Sequence, residues 1–383
     1  MKPTVAVVFG GESVEHDISI ITAIQTLNAI DKQKYNVVPL YIDKVGRWLT
    51  SSNFFSMDDF LNEQKSYKKT KEISFINGSK NMYLKTKFGL KKWHKVSTIF
   101  LCCHGGIGEN GAIQGFFEVL DIPVTSPNHI SSGICMDKVA CKKILKESGI
   151  PVIDYEVLSI KDYDLGFNFC CKKIIDKIGL PVILKPSKLG SSIGITVCKN
   201  KKKLKEGLEL GFKFDENILV EKLVEDLKEV NVSVLRSDKW CYLSKTESPN
   251  TKKDFLTFED KYLLGNKKTA VDNKRIIPAD IEKNIESEIL KIAKNTCDIL
   301  NINGLIRIDF IIDKKESKIY LNEINTVPGS LANYLWKGKF DFKTLIDKMI
   351  EGAQINHEDE KQFLKSFSST VLDKSFFGTK SKI

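Results

Sequence analysis

The sequence predicts a mixed α/β and α+β chain of more than one domain, and three features carry that prediction. Two near-continuous apolar runs, residues 4–9 (TVAVVF) and 96–103, each end in a glycine loop followed by helical periodicity, as strands buried in a parallel sheet do. A glycine- and serine-rich loop between two short apolar runs at 181–198 reads as a hairpin. Near the end, residues 304–325 alternate apolar and polar through two strands joined by the polar turn 313–317, the mark of an antiparallel hairpin with one wet face. A chain of 383 residues is long enough for two or three domains, each with a core of its own.

Composition narrows the function classes. Apolar residues at 42% and charged residues at 28% exclude large-scale disorder. No run approaches the roughly 18 apolar residues of a membrane span, and Met1-Lys2-Pro3 leads straight into a strand instead of a signal peptide, so a soluble cytoplasmic protein without a membrane partner is expected. Nine cysteines, with adjacent pairs at Cys102-Cys103 and Cys170-Cys171, show neither a disulfide framework nor zinc spacing and read as small buried hydrophobes. The net charge of +10 comes from lysine clusters without interleaved stacking aromatics, so nucleic acid is not the expected partner.

In chain order, the first strand runs into Gly10-Gly11 and a periodic segment, residues 18–30. The loop GGESVEH puts Glu15 at the C-terminal end of a strand, where ligands bind in open α/β sheets; helix capping by Ser13 and Glu15 is the plain structural alternative, and His16 reads as a local hydrogen-bonding residue. A second strand covers 35–42. The lysine-rich stretch 44–95 reads as an insertion with short strands of its own. The strand 96–103 ends in HGGIGENG, which brings His104 and Glu109 to the same sheet edge as Glu15. Pro123 and Pro127 mark a domain boundary near 126. A helix opens at Met136-Asp137-Lys138 and closes before Gly149 and Pro151.

In the 181–198 hairpin, glycines let backbone N–H groups approach a polyphosphate, Ser191 and Ser192 add donors, and Lys185 supplies charge, without the P-loop motif. An apolar strand, 217–224, runs into Glu221-Lys222. Residues 245–275 are polar and aperiodic, as expected of a mobile lid. A helix over 280–300 precedes the hairpin, one over 342–353 follows it, and the basic end at 379–382 is expected to fray. Within the 304–325 hairpin, Arg307 and Asp309 share one face and Ile306, Ile308, Phe310 and Ile312 the other, while Leu321, Glu323 and Asn325 share a side of the returning strand. With matching register, Arg307, Asp309, Glu323 and Asn325 converge. Two carboxylates and an amide oxygen suit Mg2+, and the arginine suits an anion or developing oxyanion. A solvated charged hairpin is the alternative.

The strings GGESVEHDIS, HGGIGENGAIQG, MDK, KPSKLGSSIG, EK at 221–222 and R-x-D-F with E-x-N-T-x-P-G, in chain order over residues 5–335, resemble the D-alanine–D-alanine ligase family of ATP-grasp enzymes. The resemblance implies an ATP-grasp fold with an N-terminal Rossmann-like α/β domain (1–126), a small central domain (127–220) and a C-terminal α+β domain (221–383). It implies ATP-dependent joining of two D-alanines through a D-alanyl phosphate, for peptidoglycan precursor synthesis, by a homodimer. It further implies that Glu15, Ser191 and Tyr262 form a hydrogen-bonded trio orienting the substrates, that His104 helps hold the first, and that Arg307 and a backbone N–H near Gly329 stabilise the oxyanion. Lys138, Lys185, Ser192 and Lys261 would serve the phosphates. Glu221, the Lys222 carbonyl and the Val224 N–H would meet adenine, and Glu229 the ribose. Asp309, Glu323 and Asn325 would hold two Mg2+ ions, with Mn2+ as a substitute. One departure is Tyr334, which stands where relatives carry a serine for the carboxylate of the second D-alanine. A ligase with another acceptor amino acid therefore stays open; a catalytically silent nucleotide binder is disfavoured by the intact set Lys185, Asp309, Glu323 and Asn325.

Overall fold

Three sheets, each backed by an apolar core, organise the residues described by this computed structural model: 2–61, 70–249, 275–364 and 366. The first contains β1 (Thr4–Gly10), β2 (Asn36–Ile42), β3 (Trp48–Thr50), β4 (Lys71–Phe75), β5 (Asn81–Thr86), β6 (Gly89–Lys95) and β7 (Thr98–Leu101), in the order β6-β5-β4-β3-β2-β1-β7. β1 is parallel to both β2 and β7 and buried along its whole length, which its unbroken apolar sequence requires. At Gly10, φ is +88° and a Cβ would come within 2.1 Å of the Ile42 carbonyl oxygen, so no side chain fits where the chain leaves the sheet for the helix His16–Ala29. The insertion does form short strands, but they extend this sheet through β3, which pairs antiparallel with β2 at Tyr41↔Leu49.

The second sheet joins β8 (Tyr155–Ser159), β9 (Val182–Pro186), β10 (Thr196–Cys198) and β11 (Asn217–Lys222) in the antiparallel order β10-β9-β11-β8. Helices Phe167–Lys177 and Lys201–Gly211 bury Ile174, Leu204 and Leu208 against Leu158, Leu184 and Ile218. The third sheet, β13-β12-β14-β15, contains β12 (Leu227–Ser237), β13 (Trp240–Glu247), β14 (Gly304–Asp313) and β15 (Lys318–Asn325), with helix Lys283–Ile299 on its apolar face.

The cores do not follow the chain in simple order. Cys135, Cys141, Leu145 and Ile150, from the segment the sequence reading assigns to the central unit, pack in the core of the third sheet. Leu345, Ile346, Met349 and Ile350 of the C-terminal helix Phe342–Glu360 join the first-sheet core beside Trp336. All nine cysteines are free thiols, and all but half-buried Cys241 are buried. Among the described residues no helix is long and apolar enough to cross a membrane.

Candidate active site

The amphipathic hairpin closes in the register its polar face needs. Arg307 pairs with Asn325 and Asp309 with Glu323 across β14 and β15. Ile306, Ile308, Phe310 and Ile312 enter the core of the third sheet, as period-two alternation requires. Leu321 does not share the face of Glu323 and Asn325 as expected. The register shifts after Asp309 so that Phe310 pairs with Leu321, and Asn322 becomes the extra residue of a bulge. That extra residue turns Asn322 and Glu323 both toward the cleft and sends Leu321 into the core, 1% exposed.

Arg307 donates from Nε and Nη2 to the two oxygens of Asp309 at 2.6 and 2.7 Å, and Asn325 Nδ2 donates to the same carboxylate at 3.1 Å. Burial works against the guanidinium charge, but Asp309 outweighs it and holds the Arg307 pKa well above its usual value. The Asp309 and Glu323 carboxylates and the Asn325 amide oxygen form an all-oxygen donor set on one strand pair, which fits a hard divalent cation.

The glycine-rich loop between β9 and β10 reaches this hairpin from the second sheet. Asp137 caps the helix Lys138–Glu147 by accepting from Val139 and Ala140 N, and also accepts from Ser187 Oγ at 2.5 Å. This fixes Lys138 in the first helical turn, where its Nζ donates to the Leu189 carbonyl at 2.5 Å. Ser191 and Ser192 take φ of 52° and 60°, so the turn is made by the serines while Gly190 stays outside the left-handed region. Ser191 Oγ donates to Glu15 Oε1, joining the loop to the start of helix His16–Ala29. Glu15 occupies the N-cap position of helix His16–Ala29 without capping it by its side chain, so the capping alternative does not describe it. Gly105, at φ +64°, lies so close that a Cβ would be 2.7 Å from Glu15 Oε2. His16 holds Gly11 O and Tyr41 Oη, as a local hydrogen-bonding residue should.

His104 is 3% exposed and shares a hydrogen bond with Thr22 Oγ1 at 2.8 Å. Burial, reinforced by the Arg307 charge, pushes its pKa down to about 4 against a bond to the Val327 backbone, so the ring is neutral at pH 7. Glu109 accepts from Gly105 N at 2.8 Å and Val327 N at 3.1 Å, tying the His104 loop to the end of the hairpin. Burial, with the neighbouring Glu15 charge, raises its carboxyl to about 7.

A cleft of 510 Å³ gathers Glu15, His104, Lys138, Lys185, Ser191, Ser192, Glu229, Arg307, Asp309, Glu323, Asn325 and Gly329. Glu221 is set differently from expectation. It has no exposed surface, and its carboxylate lies 2.5 Å from Lys142 Nζ and 2.6 Å from Lys185 Nζ instead of opening to the cleft. Lys185 also donates to Asn322 Oδ1 at 2.9 Å, linking second and third sheets. Exposed Lys222 ends β11, and half-buried Val224 lies on the connection to β12. Lys261 and Tyr262 fall outside the described residues. Sequence reasoning missed Lys142, Asn322, Asn231, Glu247 and Arg275; only the MDK string adjoining Lys142 offered any signal.

The last wall follows Gly329. Ser330, Leu331 and Ala332 all take left-handed φ, 50°, 52° and 45°. Such a turn costs about 1–2 kcal/mol per residue. It is held by Ser330 N donating to Thr22 Oγ1, Leu331 N donating to Pro328 O, and the buried Trp336 Nε1 donating to Ser233 Oγ. Tyr334 Oη donates to Glu247 Oε2 at 3.1 Å.

Known proteins resemble the chain over nearly its whole length. Residues 4–127 match the family model described as D-ala D-ala ligase N-terminus, and residues 144–351 match D-ala D-ala ligase C-terminus. The chain is 41% identical over 369 residues to a D-alanine–D-alanine ligase of Thermosipho melanesiensis, covering 96% of this chain and 98% of that protein. Among solved structures it resembles the D-alanine-D-alanine ligase from Coxiella burnetii, with a TM-score of 0.78 and 25% identity, covering 94% of this chain and 96% of that one. It also resembles the VanG D-Ala:D-Ser ligase from Enterococcus faecalis, with a TM-score of 0.79 and 26% identity over 92% of this chain and 100% of that one.

Proposed function

Because the chain belongs to the D-alanine–D-alanine ligase family, whose solved members have the ATP-grasp fold, we propose that this cleft joins two D-alanine molecules at the expense of ATP, giving D-alanyl-D-alanine for peptidoglycan precursors. The observation that carries the reading is the register Arg307↔Asn325 and Asp309↔Glu323, in one cleft with the Glu15–Ser191 contact.

The reaction follows from what each residue can do. Glu15, tied to Ser191, holds the donor's ammonium, and neutral His104 adds a hydrogen bond without a charge. Lys138, Lys185 and Ser192 hold the triphosphate beside the loop, and Lys261 would add a further charge. Glu221 acts through Lys142 and Lys185, while Lys222, Val224 and Glu229 line the path to base and ribose. A donor carboxylate oxygen bonds to the γ-phosphorus as the bond to the bridging oxygen breaks, giving an acylphosphate and ADP. The neutral amine of the acceptor then attacks the acyl carbon. Arg307 and the Gly329 N–H face the oxyanion that develops, and phosphate leaves as the nitrogen loses its proton. Asp309, Glu323 and Asn325 would hold Mg2+, which when bound offsets the charge of the phosphates. Tyr262 would complete the trio with Glu15 and Ser191. Buried free thiols and the ATP requirement favour the cytoplasm, and a homodimer is the expected assembly.

Mass spectrometry of products formed from ATP, Mg2+ and D-alanine tests this directly: D-alanyl-D-alanine with ADP and phosphate is expected. A panel of D- and L-amino acids in the same assay addresses the second reading, a different acceptor, which Tyr334 keeps open. ADP release without dipeptide, together with ligation of another amine, would replace the named product.

A further inference from the structure

An amino-acid acceptor brings a carboxylate into the cleft, and a carboxylate withdrawn from water needs a cation or several donors. Among the described residues the cationic side chains lining the cleft are Lys138, Lys185, Arg275 and Arg307. Three of them are already committed. Lys138 is bonded to the Leu189 carbonyl, Lys185 is paired with Glu221, and Arg307 has two of its nitrogens on Asp309.

Arg275 is held in another way. Its Cζ lies 3.8 Å from the centre of the Tyr334 ring, and its Nε is 3.5 Å from Glu247 Oε1, while its side chain remains 52% exposed. The ring beneath it is pinned. Tyr334 Oη donates to Glu247 Oε2, Asn231 Nδ2 donates to the same oxygen at 3.3 Å, and Glu247 is 2% exposed. A buried carboxylate thus fixes both the ring and the guanidinium stacked on it, at the wall that continues from Gly329. A guanidinium held by its face and one nitrogen keeps further N–H donors at its edge for a planar anion, which an ammonium on a flexible stem does not offer in fixed geometry.

We propose that Arg275, seated on Tyr334 and anchored by Glu247, binds the α-carboxylate of the acceptor amino acid and sets the preference for an acceptor that carries one. The assignment rests on the ligase reading above. Tyr334 then serves as the platform for the residue that recognises the carboxylate, and the missing serine has been replaced by a charged contact.

The test is a competition in one tube. The full-length chain receives ATP, Mg2+ and D-alanine with an equal concentration of D-alaninamide, which offers the same amine without the carboxylate, and the two products are quantified by mass spectrometry. The wild type should favour D-alanyl-D-alanine over its amide. In Arg275→Met that ratio should fall on the order of 30-fold, the worth of a hydrogen bond to a charged group, with the KM for ATP unchanged. Arg275→Lys, which keeps charge but loses the planar stack, should fall between. A wild-type ratio in Arg275→Met overturns the assignment while leaving the ligase intact. Should Arg275→Met make neither product, the Arg275→Lys ratio decides: lowered supports the assignment and unchanged overturns it. A wild-type protein that makes neither product overturns the ligase reading, and the assignment with it.

Discussion

At the end of the cleft proposed for the nucleotide, Glu221 lies between Lys142 and Lys185 with no exposed surface, and Lys185 reaches across to Asn322. At the end proposed for the acceptor, Arg275 rests on Tyr334 with half of its side chain in solvent, and the adjoining turn is left-handed at three successive residues. The first arrangement is set by strands and helix starts, where one buried carboxylate is shared by two lysines and a one-residue change leaves a buried ion short of a partner. The second is set by segments that meet only in the folded protein, and its charge is partly screened. Chemistry common to a reaction can be built into the first kind of site. Discrimination among acceptors is easier to build into the second, because Arg275 is half in solvent and Glu247 keeps its bonds to Tyr334 and Asn231 when that residue is exchanged.

The strongest way to test that contrast is to break the buried pair. Lys142→Met leaves Glu221 with a single partner, and removal of one member of a buried pair costs roughly 3–5 kcal/mol, measurable by denaturant unfolding. Burial pushes the Glu221 carboxyl up, but the two lysine charges outweigh it and hold it at about 2, below its ordinary 4.5. Its contribution to stability is therefore complete above about pH 4.5 and lost as pH falls toward 2. In Lys142→Met that loss should begin at higher pH, visible as an earlier acid transition by circular dichroism. An unchanged acid transition would mean that Lys142 does not support the nucleotide end electrostatically.

Glu323→Gln comes next. Glutamine keeps the shape but removes a negative ligand, and losing one such electrostatic contact costs about 10²-fold in kcat. Nucleotide affinity, followed by titration of a fluorescent ATP analogue, should change little. Activity above about a tenth of wild type would take Glu323 out of the proposed metal set.

Glu109, between the two ends, sharpens the comparison through pH. Its folded pKa of about 7 lies above its ordinary 4.5, so the protonated form is favoured by folding. The stability it contributes is present below about pH 4.5 and lost as pH rises through about 7. Glu109→Gln should flatten the stability profile between those values, read as thermal midpoints across a pH series. A profile as steep as wild type would assign the dependence to another group.

The smallest effect belongs to Tyr334→Phe. It removes one hydrogen bond to Glu247 and keeps the ring under Arg275, so about 1 kcal/mol is at stake. The acceptor KM should rise a few-fold with the ATP KM steady. A large loss would show that the hydroxyl touches substrate instead of supporting the platform.

Much of the hairpin and of the two glycine loops was legible because their signals are local. Alternation over residues 304–313 put Arg307 and Asp309 on one face, a strand ending in Gly10-Gly11 set Glu15 at a sheet edge, and serines beside glycines marked the loop that meets it. What alternation could not supply was the bulge. A single extra residue at Asn322 reversed the side of Leu321, and nothing in the period of β15 announces it. Serine, not glycine, took the left-handed positions at 191 and 192, since contact with Glu15 and the loop ends overrode local preference.

By itself the sequence determined the sheet-forming runs, the glycine loops, the polar face of the hairpin and the family that the chain belongs to. These depend on periods of two or 3.6 residues and on short strings whose backbone demands are met within a few residues. Only the tertiary structure decided that Lys142 pairs with Glu221, that Glu109 reaches Val327, and that Arg275, Tyr334 and Glu247 form one cluster. Each of those contacts joins segments far apart in the chain, so it is set by register and by how the cores interlock, and no local period encodes either.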